Sequence, residues 1–153
     1  MSETVGALTR AWIRLAREDA RNLGLTLPQL FVLRGLAEHG TVPVTHWADR
    51  MGTSPSAMTG ILDGMESSGL ISRSHASADR RQVLVSLTPK GAKLSERLSG
   101  DFRRRWKGYC VTISASDMGR ASDVLARILA RMAPSDDSVP RAAATSKIAG
   151  VAS

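Results

Sequence analysis

The chain has one cysteine, Cys110, in 153 residues. No disulfide can form within it, and so sparing a use of thiols points to a reducing compartment. Nowhere does an apolar run approach the ~18 residues needed to span a bilayer. Glu3 and Arg10 interrupt the N-terminal stretch, which does not read as a signal peptide. A cytoplasmic protein with no membrane partner is expected. His39, His46 and His75 lack Cys or His neighbours at metal-ligand spacing, so no metal site is expected. Enzyme signatures are missing too: no phosphate-binding glycine loop, no H-E-x-x-H, no carboxylate pair singled out by spacing. Ser, His and Asp occur, but nothing in the sequence brings them together. A small hydrolase or transferase is the weakest function class, and no cofactor is expected.

Acidic residues are also short. Fourteen Asp and Glu face 21 Lys and Arg, a net charge of +7, and the isoelectric point is about 10.7. That excess favours a polyanionic partner, nucleic acid before membrane. Hydrophobic residues make up 42%, enough for a globular core, and the length suits one domain.

Helical spacing recurs along the chain. Over residues 2–23, Val5, Leu8, Trp12 and Leu15 step by three and four, with Arg10, Arg14, Arg17 and Arg21 largely off that stripe. The stripe could pack within its own domain or against another subunit. Thr26 and Gln29 fit a capping box and open a second helix with Leu30, Leu33 and Ala37 as its core face. Gly40 to Pro43 breaks the pattern. Thr45 to Met51 reads as a short helix with Trp47, Ala48 and Met51 inward. After Thr88-Pro89, Leu94, Leu98 and Phe102 lie four apart, followed by Trp106. Ser114 to Asp117 caps a last helix in which Met118, Ala121, Leu125, Ile128 and Met132 keep coiled-coil-like spacing. Residues 135–153 are rich in Ala, Ser and Pro and are expected to be disordered.

The most informative stretch runs from Met51 to Gly91. Ser54 is a good N-cap, and Pro55 suits the first helical position. Met58, Ile61, Leu62 and Met65 make one apolar face, leaving Ser56, Thr59 and Asp63 outward. Ser68-Gly69 ends the helix. Leu70 to Arg73 can then pair with Val83 to Leu87, whose alternation is that of a strand. A polar tip, Ser74 to Arg81, joins them and carries Asp79, Arg80 and Arg81. A helix followed by a hairpin with a basic tip is the layout of a winged helix-turn-helix.

This stretch resembles the MarR family of bacterial transcription regulators. The residues that carry the likeness are a "GL-x-x-R" step (Gly69, Leu70, Arg73), a wing "D-x-R" (Asp79, Arg81) and "L-T-x-x-G" (Leu87, Thr88, Gly91), in that order. An "L-T-x-x-Q-x-x-V-L" run from Leu25 to Leu33 adds to it. The resemblance implies a mainly α fold with a small β-hairpin wing, built as a single domain over residues 1–134. Within it, a DNA-binding lobe would occupy about 26–91, and dimerisation helices about 2–23 and 89–133. It therefore favours the intersubunit role for the stripe of Val5, Leu8, Trp12 and Leu15, and for that of Met118, Ala121, Leu125, Ile128 and Met132. It also implies a homodimer on a pseudo-palindromic operator in double-stranded DNA, acting as a repressor that a small aromatic ligand releases.

Arg73, Arg80 and Arg81 are the strongest DNA-binding candidates, because clustered cations gain from counterion release. A hairpin tip is thin enough for a minor groove, where arginine is favoured. From the family, Arg81 would enter that groove and Asp79 would hold it in place. The recognition helix has no Lys or Arg from Gly52 to Ser72 and carries Asp63 and Glu66; Gly60 stands where family members often have a basic residue. Base reading then falls to Ser54, Ser56 and Thr59. A low-specificity or architectural DNA-binding protein is the rival that this uncharged helix supports. Cys110 follows a basic run, a setting that suits a redox-sensing thiol, but the resemblance places such cysteines near the N-terminus, so an inert thiol is favoured. Trp12, Trp106 and Tyr109 suit core packing at least as well as a ligand pocket.

Overall fold

The computed structural model describes residues 2–76 and 81–132. In chain order it contains α1 (Ser2–Asn22), α2 (Leu27–His39), β1 (Val42–Pro43), α3 (Val44–Met51) and α4 (Pro55–Ser67). β2 (Ile71–His75), β3 (Val83–Leu87), α5 (Pro89–Tyr109) and α6 (Ala115–Met132) follow. Two compact units result, residues 1–100 and the part from Asp101 onward; α5 begins in one and ends in the other.

The first unit is organised around α2. Thr26 and Gln29 close the expected capping box: the Gln29 N–H donates to Thr26 Oγ1 at 3.4 Å, and the Thr26 N–H donates to Gln29 Oε1 at 2.9 Å. Each satisfies a donor that the first turn leaves without a partner. The helix packs against α1, α4 and β3, so its apolar face is wide. Leu30, Val32, Leu33 and Leu36 are all buried. Ala37, expected inward, is exposed; Leu36 takes that place because a helix covered on several sides buries more than a single 3–4 stripe. Trp47 of α3 lies so close to α2 that a Cβ on Gly35 would sit 2.1 Å from its ring.

α1 meets α2 through Ala16, Asp19 and Ala20, all buried. Arg34 reaches Asp19 at 3.3 Å across that contact. These positions are distinct from the Val5–Leu8–Trp12–Leu15 stripe, in which Val5 and Leu8 are exposed and Trp12 and Leu15 half-buried.

The hairpin is present, and a third strand joins it. The sheet order is β1-β3-β2, all antiparallel. Val42 pairs with Val85, and Pro43 with Leu84. Residues 40–43 had read only as a break. Two residues, one of them proline, carry no alternation signal, and proline is admissible here because the strand is at an edge. In the second unit Phe102 and Trp106 stack with centroids 6.0 Å apart. Ser114 caps α6: its hydroxyl accepts from the Asp117 N–H at 3.1 Å and donates to the Asp117 carboxylate at 2.7 Å. The Arg120 guanidinium, then that hydroxyl, hold the Asp117 carboxyl below its ordinary range.

Candidate nucleic-acid interface

The helix α4 owes its two faces to its spacing. Met58, Leu62 and Met65 are fully buried. Ser56, Thr59, Gly60 and Asp63, at steps of three and four, are exposed on the other side. Ser54 Oγ accepts from the Ala57 N–H at 3.2 Å and lies 3.1 Å from Ser56 Oγ. Whichever serine donates in that pair, one hydroxyl proton remains to point outward. Thr59 Oγ1 donates to the Pro55 carbonyl at 2.9 Å. Its proton is thus used, and it can offer a base edge only acceptor lone pairs and its methyl group.

Gly60 is not required by the fold. A Cβ there would meet nothing within 4 Å, and glycine inside a helix costs roughly 1 kcal/mol relative to alanine. Gly60→Ala should therefore raise the stability by about that amount. A thermal melt that falls instead would show that the helix is strained there.

The wing strands bring further residues beside α4. Thr59, Arg73 and Arg81 border one recess of about 360 Å³, together with Thr45 and Gln82. Three residues chosen from sequence for DNA contact thus come together, and Val44, Thr45, Gln82 and Val83 line the same recess. Nothing in the sequence marked Thr45 or Gln82; only the pairing of the strands beside α3 and α4 reveals them. Arg81 is exposed. Asp79 and Arg80 lie outside the described residues. Arg73 is turned toward α4: its Nη1 donates to Asp63 Oδ1 at 2.6 Å and to Glu66 Oε2 at 3.0 Å.

The residues of the "L-T-x-x-G" run hold the root of the wing. Thr88 Oγ1 donates to the Gly69 carbonyl at 2.6 Å and accepts from the Gly91 N–H at 3.1 Å, capping α5. Lys90 Nζ donates to the Ser68 carbonyl at 2.7 Å, satisfying an end of α4. Gly69 itself adopts φ +68°, the left-handed conformation that glycine takes at a helix end. Sequence reading found the run but not this joint, because its partners are some 20 residues apart in the chain.

In α6, Ala121, Leu125 and Ile128 are exposed and Met118 half-buried. Met132 closes the helix, and its side chain lies outside the described residues. Among the described residues no three His, Cys, Asp or Glu side chains are grouped to hold a metal ion. No described helix is long and apolar enough to cross a membrane.

Residues 25–83 match the MarR family profile. The HTH-type transcriptional repressor MdtR of Bacillus subtilis (strain 168) is 36% identical over 121 residues, covering 78% of this chain and 77% of that protein. The uncharacterised HTH-type regulator YfiV of the same organism is 46% identical over 72 residues, covering 47% of this chain and 45% of that one. The crystal structure of NadR in complex with 4-hydroxyphenylacetate is 28% identical, with a TM-score of 0.69 over 84% of this chain and 92% of that one. In its helices, its small sheet and its similarity to these proteins, the chain belongs to the MarR family: it is a winged-helix, DNA-binding transcriptional regulator and not an enzyme.

Proposed function

We propose that the chain acts in the cytoplasm as a homodimeric repressor of a pseudo-palindromic operator. The observation that carries this reading is the recess that Thr59 of α4 and Arg81 beside the wing both line. α4 would lie in the major groove, with Ser54, Ser56 and Thr59 toward base edges. The wing would follow the backbone into the adjacent minor groove, led by Arg81, with Asp79 holding it and Arg80 on phosphate. A two-fold axis would place two such heads one helical turn apart. Residues 1–134 would act together: the DNA-binding lobe over about 26–91, and the terminal helices, about 2–23 and 89–133, as the dimer contact. The repressor name of MdtR supports the sense of regulation.

Release by a small aromatic ligand fits the same reading. NadR was crystallised with 4-hydroxyphenylacetate. Here an open cleft of about 770 Å³ is lined by Arg10, Arg14, Arg17 and Arg21, with Ile13 and Leu25. Like charges at i,i+3 and i,i+4 repel along a helix, so an anion with an apolar body would relieve that row.

A second reading, low-specificity or architectural binding, is favoured by the absence of Lys and Arg from α4. Selection of bound genomic fragments decides between them. The operator reading expects a few fragments enriched over random duplex at matched salt. On the best of these, Arg81→Ala should cost roughly 1–3 kcal/mol, and less on random DNA. Arg80→Ala should weaken both alike and lower the salt slope by about one unit. Equal retention of all fragments would leave only the architectural role.

A further inference from the structure

Between Gly52 and Ser72 the recognition helix and its flanks hold two carboxylates, Asp63 and Glu66, and no cation. Offered bare to a phosphate backbone, that segment would be repelled. Arg73 changes this from the neighbouring strand. Its Nη1 sits 2.6 Å from Asp63 Oδ1 and 3.0 Å from Glu66 Oε2, and its Nη2 donates to the Thr59 carbonyl at 3.4 Å. The arginine side chain is 23% exposed, while the two carboxylates are 56% and 41% exposed. The cation thus lies beneath the acids rather than beyond them. An arginine placed to grip phosphate would have the opposite order, with its guanidinium outermost.

We propose that Arg73 is a positioning residue for DNA binding and not a phosphate ligand. It offsets the charge of Asp63 and Glu66 on the helix that faces DNA. It also ties β2 to α4 through a planar fork that spans three acceptors, a geometry that a lysine point charge does not supply. Such a pair at a surface adds little to folding stability, so its main effect falls on the DNA complex. Without Arg73 the two carboxylates become uncompensated negative charges next to the polyanion. This inference rests on the DNA face proposed above.

A double-mutant cycle tests it. Arg73→Ala is measured in the wild-type background and beside Asp63→Asn with Glu66→Gln. The probes are the tightest genomic fragment from selection and a random duplex, read by fluorescence anisotropy at two salt concentrations. Arg73→Ala should weaken binding about tenfold at about 50 mM salt and about threefold at about 200 mM, since screening hides the exposed acids. With both acids neutralised the same substitution should cost less than about twofold, a coupling that independent sites do not show. Should the alanine variant melt early, Arg73→Gln repeats the cycle with more of the side chain retained. An equal loss in both backgrounds would make Arg73 a phosphate ligand and overturn the inference while leaving the DNA face intact. A loss independent of salt would reduce Arg73 to a structural tie and overturn it too. A wild-type protein that binds neither duplex would overturn the inference and the DNA face together.

Discussion

Replacing Leu125 and Ile128 with aspartate is expected to leave the protein a monomer of 16.4 kDa and to weaken operator binding by two orders of magnitude or more. The reasoning starts from α6. Val124, Leu125, Ile128 and Leu129 are between 40% and 63% exposed, although their spacing makes one continuous apolar strip. Burying such side chains is worth about 1.5–3 kcal/mol each when complete, so a second copy of the strip is a favourable cover. Aspartate at two central positions would place charges in that contact without partners. Binding by two linked heads gains about 10²–10⁴ over either alone, and a monomer forfeits this gain. Ala130→Asp, on the opposite side of the helix, should leave both properties unchanged. Sedimentation and anisotropy on the same samples check the pair. Tight DNA binding by a wild-type monomer would defeat the dimer reading.

Gly91→Ala should be among the most damaging single-methyl changes to the described residues. A Cβ at this position would lie 2.0 Å from the Leu70 carbonyl oxygen and 3.3 Å from Leu87 Cδ2. The obstacle is backbone, and that backbone is held on both sides. The Leu70 N–H donates to the Met65 carbonyl at 2.9 Å, and the Thr88 N–H donates to the Leu70 carbonyl at 3.1 Å. Moving Leu70 aside would loosen the end of α4 and the root of the wing together. The expected cost is about 3 kcal/mol, at the upper end for overpacking, or a melting temperature lower by roughly 6–15 °C. Gly100, farther along the same helix, has open space around the equivalent position. Gly100→Ala should be neutral or mildly stabilising. Equal melts for the two variants would show that α5 can slide away from Leu70.

Much of this architecture was legible from local chemistry. Thr26 with Gln29, Ser54 with Ala57 and Ser114 with Asp117 mark helix starts, because a cap is a bond between residues three apart, and Pro55 adds the preference of proline for the first helical position. The hairpin was legible because Val83, Val85 and Leu87 alternate, and the recognition helix because Met58, Leu62 and Met65 repeat. What escaped depends on distant neighbours. β1 exists only because Val42 finds Val85. Ala16 and Ala20 carry the α1–α2 contact, yet alanine gives too weak an apolar signal to outrank Leu8 or Trp12. Arg73 read as one more cation of the wing because its partners precede it by seven and ten residues, on an element that sequence spacing alone does not place beside it.

The bonding around Thr88 bears on how such a wing can change over generations. The loop it carries is closed at its root by the Thr88 hydroxyl on Gly69 and Lys90 on Ser68, and again by the Ala76 N–H on the Gln82 carbonyl at 3.0 Å. Closure entropy grows only with the logarithm of length, about 0.6 kcal/mol for each doubling. Doubling the stretch between His75 and Val83 would therefore cost the fold less than one buried methylene group, about 0.8 kcal/mol. Insertion at the tip is thermodynamically cheap, whereas a change at Thr88 or Lys90 beneath it would remove one of these bonds. The distance that a tip arginine can reach is thus open to revision independently of the core.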